Sequence, residues 1–142
     1  MRRPTAVRRN GETNPVTIIL ILALTAAGFY GYHVGPVYWD NLEAKEACAQ
    51  AFNLYWLNGA ESAKSTMLFR LNSKVGKHLE VDDDGVERWL PGLGVDPDNV
   101  IIEETAGTLT VRVTYDRVVH FKPLKKRKVF HVVAEKVGQK LQ

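Results

Sequence analysis

Residues 15–39 contain no Asp, Glu, Lys or Arg, a run of twenty-five positions in a chain that is one-quarter charged as a whole. A helix needs about twenty apolar residues to cross a bilayer core. The first half of the run is dense in Ile, Leu and Ala, and the second half turns aromatic, with Phe29, Tyr30, Tyr32, Tyr38 and Trp39. Aromatic side chains gather at membrane–water interfaces, where an apolar body and a polar tip are both accommodated. Residues 16–39 are therefore predicted to form a transmembrane helix with an aromatic outer end. Ala23, Ala27, Gly31 and Gly35 recur every fourth position and share one face of that helix. Lipid offers little hydrophobic drive for helices to associate, so close backbone approach through small residues takes its place, and this stripe is the expected helix-packing face. Pro36 lacks a backbone donor and is expected to bend the helix as it leaves the membrane. His33 is expected at the headgroup level, solvated or touching headgroups.

Beyond Pro36 the helical period continues. Leu42, Cys48, Ala49, Phe52, Tyr55 and Trp56 mark one face, and Asn58-Gly59 reads as a stop, so the span and this helix make one long, bent rod. A second helix is expected over 60–75, with Ala63, Met67, Leu68 and Leu71 inward and Gly76 ending it. Residues 82–98, rich in Asp, Gly and Pro, read as irregular. Strands are expected over 100–104, 108–121 and 129–134, the middle one placing Val111, Val113, Tyr115, Val119 and Phe121 on one side. Arg112, Thr114, Asp116 and His120 take its other side. Three strands need a cover for their apolar face, and the two helices supply it. The expected fold is α+β: a transmembrane helix continuing into a long helix, a second helix, and a three-stranded antiparallel sheet packed on the helices.

Charge then orients the chain. Residues 1–15 hold Arg2, Arg3, Arg8 and Arg9 against Glu12, whereas residues 40–142 hold fifteen cations and fifteen anions. A neutral body lacks the broad positive field of a nucleic-acid binder, and no nucleic acid is expected. By the positive-inside rule the arginines form a cytoplasmic tail (1–15), and residues 40–142 form an extracytoplasmic domain. A cleaved signal peptide is the competing interpretation, since a basic start and an apolar stretch ending at Ala27 are its parts. One local excess remains, the turn holding Lys122, Lys125, Lys126, Arg127 and Lys128. Such a hairpin tip keeps an edge soluble, or touches anionic headgroups or an acidic partner.

Chemistry is sparse. Cys48 stands alone, so no internal disulfide or CxxC metal framework forms, and it reads as a small core residue. Asp82-Asp83-Asp84-Gly85 suggests a calcium loop, but aligning Gly85 puts Glu80 first and Pro91 twelfth, where a bidentate Glu belongs. A hairpin centred between Lys125 and Lys126 sets His120 opposite His131, two metal-capable imidazoles without a third ligand. No metal, cofactor, small-molecule substrate or catalytic set is expected, and the protein is expected not to be an enzyme.

Gly11, Thr13, Thr17, the Pro36-Val37-Tyr38 triplet and the strands after Val100 resemble an uncharacterised family of short single-pass proteins of Gram-negative bacteria. That resemblance implies an inner-membrane location, a periplasmic C-terminal domain and a pilin-like layout. Type IV pilins are similar in layout but differ at informative residues: with Gly11 as the cleavable glycine, Glu12 replaces the aromatic or Met, Val16 the helix glutamate, and Pro15 interrupts the helix. The expected function is a non-enzymatic, single-pass subunit of a larger envelope complex, in contact with lipid and with other membrane subunits or copies of itself. Its alternatives are a pilin-like filament subunit and a secreted binding domain released by signal peptidase.

Overall fold

The computed structural model describes residues 14–139; Arg2, Arg3, Arg8, Arg9, Gly11 and Thr13 lie outside them. The order is α1 (Pro15–Asn58), α2 (Ala60–Ser73), β1 (Lys77–Val81), β2 (Glu87–Pro91), β3 (Val100–Thr105), β4 (Thr108–Phe121) and β5 (Lys126–Gln139). The fold is α+β, with the long helix, the second helix and the β3-β4-β5 antiparallel sheet expected from the pattern.

Helix α1 begins where Asn14 accepts the Val16 N–H at 3.1 Å and Pro15 occupies the first turn, a position that needs no N–H. It stays helical through Pro36. It stops at Gly59, whose left-handed φ of 88° is open to glycine and whose N–H bonds the Tyr55 carbonyl at 2.9 Å.

The chain divides into two units, one ending at Tyr32 and the other beginning at His33. In the first, every described residue is exposed except the half-buried Phe29. In the second, α1 buries Val37, Asp40, Ala44, Ala47, Cys48 and Ala51, a stripe at spacings of three and four. Its small side chains bring the helix close enough for the Cys48 thiol to reach the Ala134 carbonyl at 3.5 Å. Helix α2 adds Ala63, Met67 and Leu71, and β4 answers with Leu109, Val111, Val113 and Tyr115, all at most 5 % exposed.

Two expectations require correction. Within the stretch 82–98 expected to be irregular, residues 87–91 form strand β2, which pairs with β1 in an antiparallel hairpin from Lys77↔Pro91 to Val81↔Glu87. Its strands are short and mostly exposed, so no clean alternation marks them. The turn is built by Asp82, whose carboxylate accepts the Asp84 and Val86 N–H groups at 3.2 and 2.9 Å. The acidic run is thus an Asx-type turn.

The second correction is the β4-β5 register. The hairpin closes through a 3-10 turn over Lys122–Leu124 and through Lys125 in the left-handed region, φ 48°. Strand β5 therefore starts at Lys126 rather than Val129 and runs to Gln139, five residues past the expected end. His120 pairs with Arg127 and His131 with Asp116, so the two imidazoles are not opposite each other. The tighter turn shifts the pairing by four residues, which preserves the alternation of faces and leaves the sequence pattern blind to it.

Candidate functional site

The first candidate surface is the apolar part of α1. It is long and apolar enough to cross a membrane, and none of its most apolar stretch is buried inside the protein. Val16, Ile18, Ile19, Leu20, Ile21, Leu22 and Leu24 are all exposed. Ala23, Ala27, Gly31 and Gly35 are exposed as well, and a Cβ added at Gly31 or Gly35 meets nothing within 4 Å. Tyr30, Tyr32, Tyr38 and Trp39 are exposed, with the Trp39 indole donating to Glu43 at 3.3 Å. His33 departs from its expected solvated position: it is half-buried and stacks on Phe121, ring centroids 5.3 Å apart and planes 25° apart. With Val37 also buried, the folded unit reaches seven residues further back along α1 than the expected boundary at Asp40.

The second candidate is polar and was missed. Arg117 sits among the core-facing positions of β4, flanked by Tyr115 and Val119, and its Nε donates to Asp40 Oδ2 at 2.8 Å. Both side chains are only 8 % exposed. Arg117 also donates through Nη1 to the Lys77 carbonyl, tying β1 to the sheet, and lies 5.9 Å from the centre of the Trp89 ring. Gly76 makes room for the carboxylate: at φ 60°, a Cβ there would stand 2.8 Å from Asp40 Oδ2. Burial holds the Asp40 carboxyl above its usual range, and the Arg117 guanidinium opposes that rise. The Tyr115 hydroxyl, buried with no hydrogen-bond partner among the described residues, is pushed up by burial and then by the Asp40 charge. The signal was present in the sequence as a charged residue on the apolar side of an alternating strand; nothing in the sequence named Asp40 as its partner.

Beside this pair lies a cleft of about 410 Å³ bordered by Lys77, His78 and Leu79 of β1 and by Thr114, Asp116 and Arg117 of β4. Past Val113, β4 pairs only with β5, and β1 pairs only with β2, so two strand edges face the opening. Asn72 at the end of α2 fixes the cleft's floor, its amide accepting the Val95 N–H at 2.7 Å and donating to the Val95 carbonyl at 2.9 Å. His78 Nδ1 is held by the Gly92 carbonyl at 2.8 Å. Gly92 itself is required, because at φ 88° a Cβ there would overlap the Asn72 carbonyl. The ionisable groups on its lining are Lys77, His78, Asp96, Tyr115, Asp116 and Arg117.

The third candidate is the basic run, which the register correction reshapes. Lys122 lies in the 3-10 turn, Lys125 follows it, and Lys126, Arg127 and Lys128 belong to β5 rather than to the tip. All five are exposed. Arg127 pairs with Glu87 at 2.8 Å, and the Lys128 ammonium lies 4.9 Å from the Phe130 ring centre. His131, assigned above to a possible metal pair, bonds Asp116 at 2.5 Å instead. Among the described residues no group of three or more His, Cys, Asp or Glu is placed to hold a metal ion. Compared with known proteins, the chain matches no family model, no curated protein and no solved structure.

Proposed function

We propose that the chain is a non-enzymatic, single-pass membrane subunit whose folded C-terminal unit lies outside the cytoplasm and meets other proteins of an envelope complex. The observation that carries this is the wholly exposed apolar start of α1. Leaving the seven large aliphatic side chains of residues 16–24 in water costs on the order of 10 kcal/mol, comparable with the entire stability of a small domain. A bilayer removes that cost. The arginine-rich start supports a cytoplasmic N-terminus. The family resemblance supports a bacterial inner membrane with a periplasmic C-terminal unit. The open space along Ala23, Ala27, Gly31 and Gly35 supports assembly through the helix with another membrane subunit or another copy.

Membranes washed with alkaline carbonate are expected to retain the chain, with an intact mass showing residues 1–27 still attached. A soluble chain trimmed near Ala27 would mean a signal peptide and overturn the anchor. Leu22→Arg is expected to weaken insertion by about 3–4 kcal/mol. One feature favours a filament subunit as a second reading, namely a long helix whose second half packs on an antiparallel sheet. That reading calls for a ladder of self-multiples in mild detergent in place of a complex with other proteins.

A further inference from the structure

The basic end of the β4-β5 hairpin is built from residues adjacent to the start of the folded unit. His33, the first residue of that unit, stacks on Phe121, and Phe121 is the last residue of β4. The turn Lys122–Leu124 begins at the next position, so the basic segment is anchored beside the point where α1 enters the fold. Five of the seven residues 122–128 are cationic and none is acidic. Arg127 has its partner in Glu87, but no carboxylate lies within ion-pair distance of Lys122, Lys125 or Lys126 among the described residues. A recess of about 160 Å³ opens among them, lined by His120, Phe121, Lys122, Lys125, Lys126 and Arg127. Leu124, which lies between Lys122 and Lys125 in the chain, is 60 % exposed, and Tyr38 and Trp39, just beyond His33 on α1, are exposed by 66 % and 64 %.

From this arrangement we infer that Lys122, Lys125 and Lys126 dock on anionic lipid headgroups of the membrane that holds the chain's own helix. The inference rests on the membrane reading above. An exposed aliphatic residue in the same turn as lysines without a carboxylate partner, with exposed aromatic residues shortly after His33 on α1, suits the headgroup layer, where cations meet phosphate and apolar tips reach the acyl boundary. A blunted edge in water would need the cations alone, without Leu124 and without His33 pinning the hairpin to α1. Docking would fix the folded unit at the surface by a second point, so that its cleft and outer sheet face are presented at a set height to partners.

The test uses the full chain reconstituted in vesicles, with an environment-sensitive fluorophore on Leu124→Cys and a control label on Ala106→Cys in the β3-β4 turn at the other end of β4. Cys48 is fully buried and does not compete for label. Headgroup-level quencher lipids are expected to quench the label at position 124, and not that at 106, in vesicles containing phosphatidylglycerol. Each lysine near an anionic surface shifts docking by about fivefold. Replacing Lys122, Lys125 and Lys126 with Gln is therefore expected to shift it by about a hundredfold, down to the level in phosphatidylcholine alone. Equal quenching at 124 and 106, or quenching indifferent to the lysines and to anionic lipid, overturns the docking. Loss of quenching on adding inorganic phosphate at matched ionic strength also overturns it, in favour of a free-anion site. Carbonate extraction of the same vesicles separates the two failures: a chain released by carbonate refutes the anchor itself, while a retained chain with an unquenched label refutes only the docking.

Discussion

Helix α1 carries two stripes of small residues with opposite fates. Ala44, Ala47, Cys48 and Ala51 are at most 3 % exposed because the sheet closes over them. Ala23, Ala27 and Gly31 are exposed. Small side chains let another backbone approach, and among the described residues the first stripe meets the sheet while the second is left uncovered. The surrounding residues differ accordingly. Around the covered stripe the helix carries Glu43, Lys45, Glu46 and Gln50, as a water-facing surface requires; around the open one it carries Ile, Leu and Val.

The comparison breaks most sharply at the buried ion pair, which has no counterpart in the apolar part of α1. Arg117→Met leaves the Asp40 carboxylate buried without its cation and is expected to cost about 3–5 kcal/mol in chemical denaturation. Adding Asp40→Leu to that variant is expected to recover most of the loss, because neither charge then remains to be desolvated. A double variant no better than the single one would show that the pair contributes more than the sum of two buried charges. Next in size is overpacking. Ala47→Leu forces a larger side chain between helix and sheet and is expected to cost about 1–3 kcal/mol. Gly31→Leu is expected to leave the same denaturation midpoint unchanged and to weaken assembly in mild detergent. If both variants destabilise the folded unit equally, the two stripes are not distinct.

The smallest effect concerns Cys48, whose thiol burial pushes up from 9.0 to about 12. It is expected to resist iodoacetamide at pH 8 in the folded chain and to react on denaturation, as followed by intact mass. Because the folded chain holds the thiol proton more tightly than the unfolded one, the contribution is intact below pH 9. It declines as pH rises from 9.0 towards 12. Cysteine substituted at Ala27 in the open stripe is expected to lack this protection by the fold, and in detergent its reactivity should track detergent access alone.

Much of this architecture was legible from local pattern. The apolar run, the stop at Asn58-Gly59, the second helix and the alternation of β4 each follow from periodicity and turn residues acting over a few positions. The lone cysteine in the core follows from size and polarity. The β1-β2 hairpin did not, because His78 and Leu79 are half-buried while Val81, Val86 and Trp89 remain exposed, and the strands carry no apolar side to read. Nor did the register of β4 and β5, because a slip of four residues keeps every side chain on its own face.

The sequence by itself therefore determined what nearest neighbours decide: which segments are helical, which alternate, and which stretch of α1 is long and apolar enough to cross a membrane. Tertiary structure alone decided what depends on distant residues meeting. Asp40 and Arg117 are seventy-seven positions apart; Asp40 reads as an ordinary surface charge and Arg117 only as a charge out of place on an apolar side until the sheet closes on the helix. The stacking of His33 on Phe121 is likewise invisible until the chain returns to its own starting point. Local preference is a property of short windows, whereas the pairing of buried charges and the anchoring of the basic hairpin beside His33 depend on loop closures over some eighty residues.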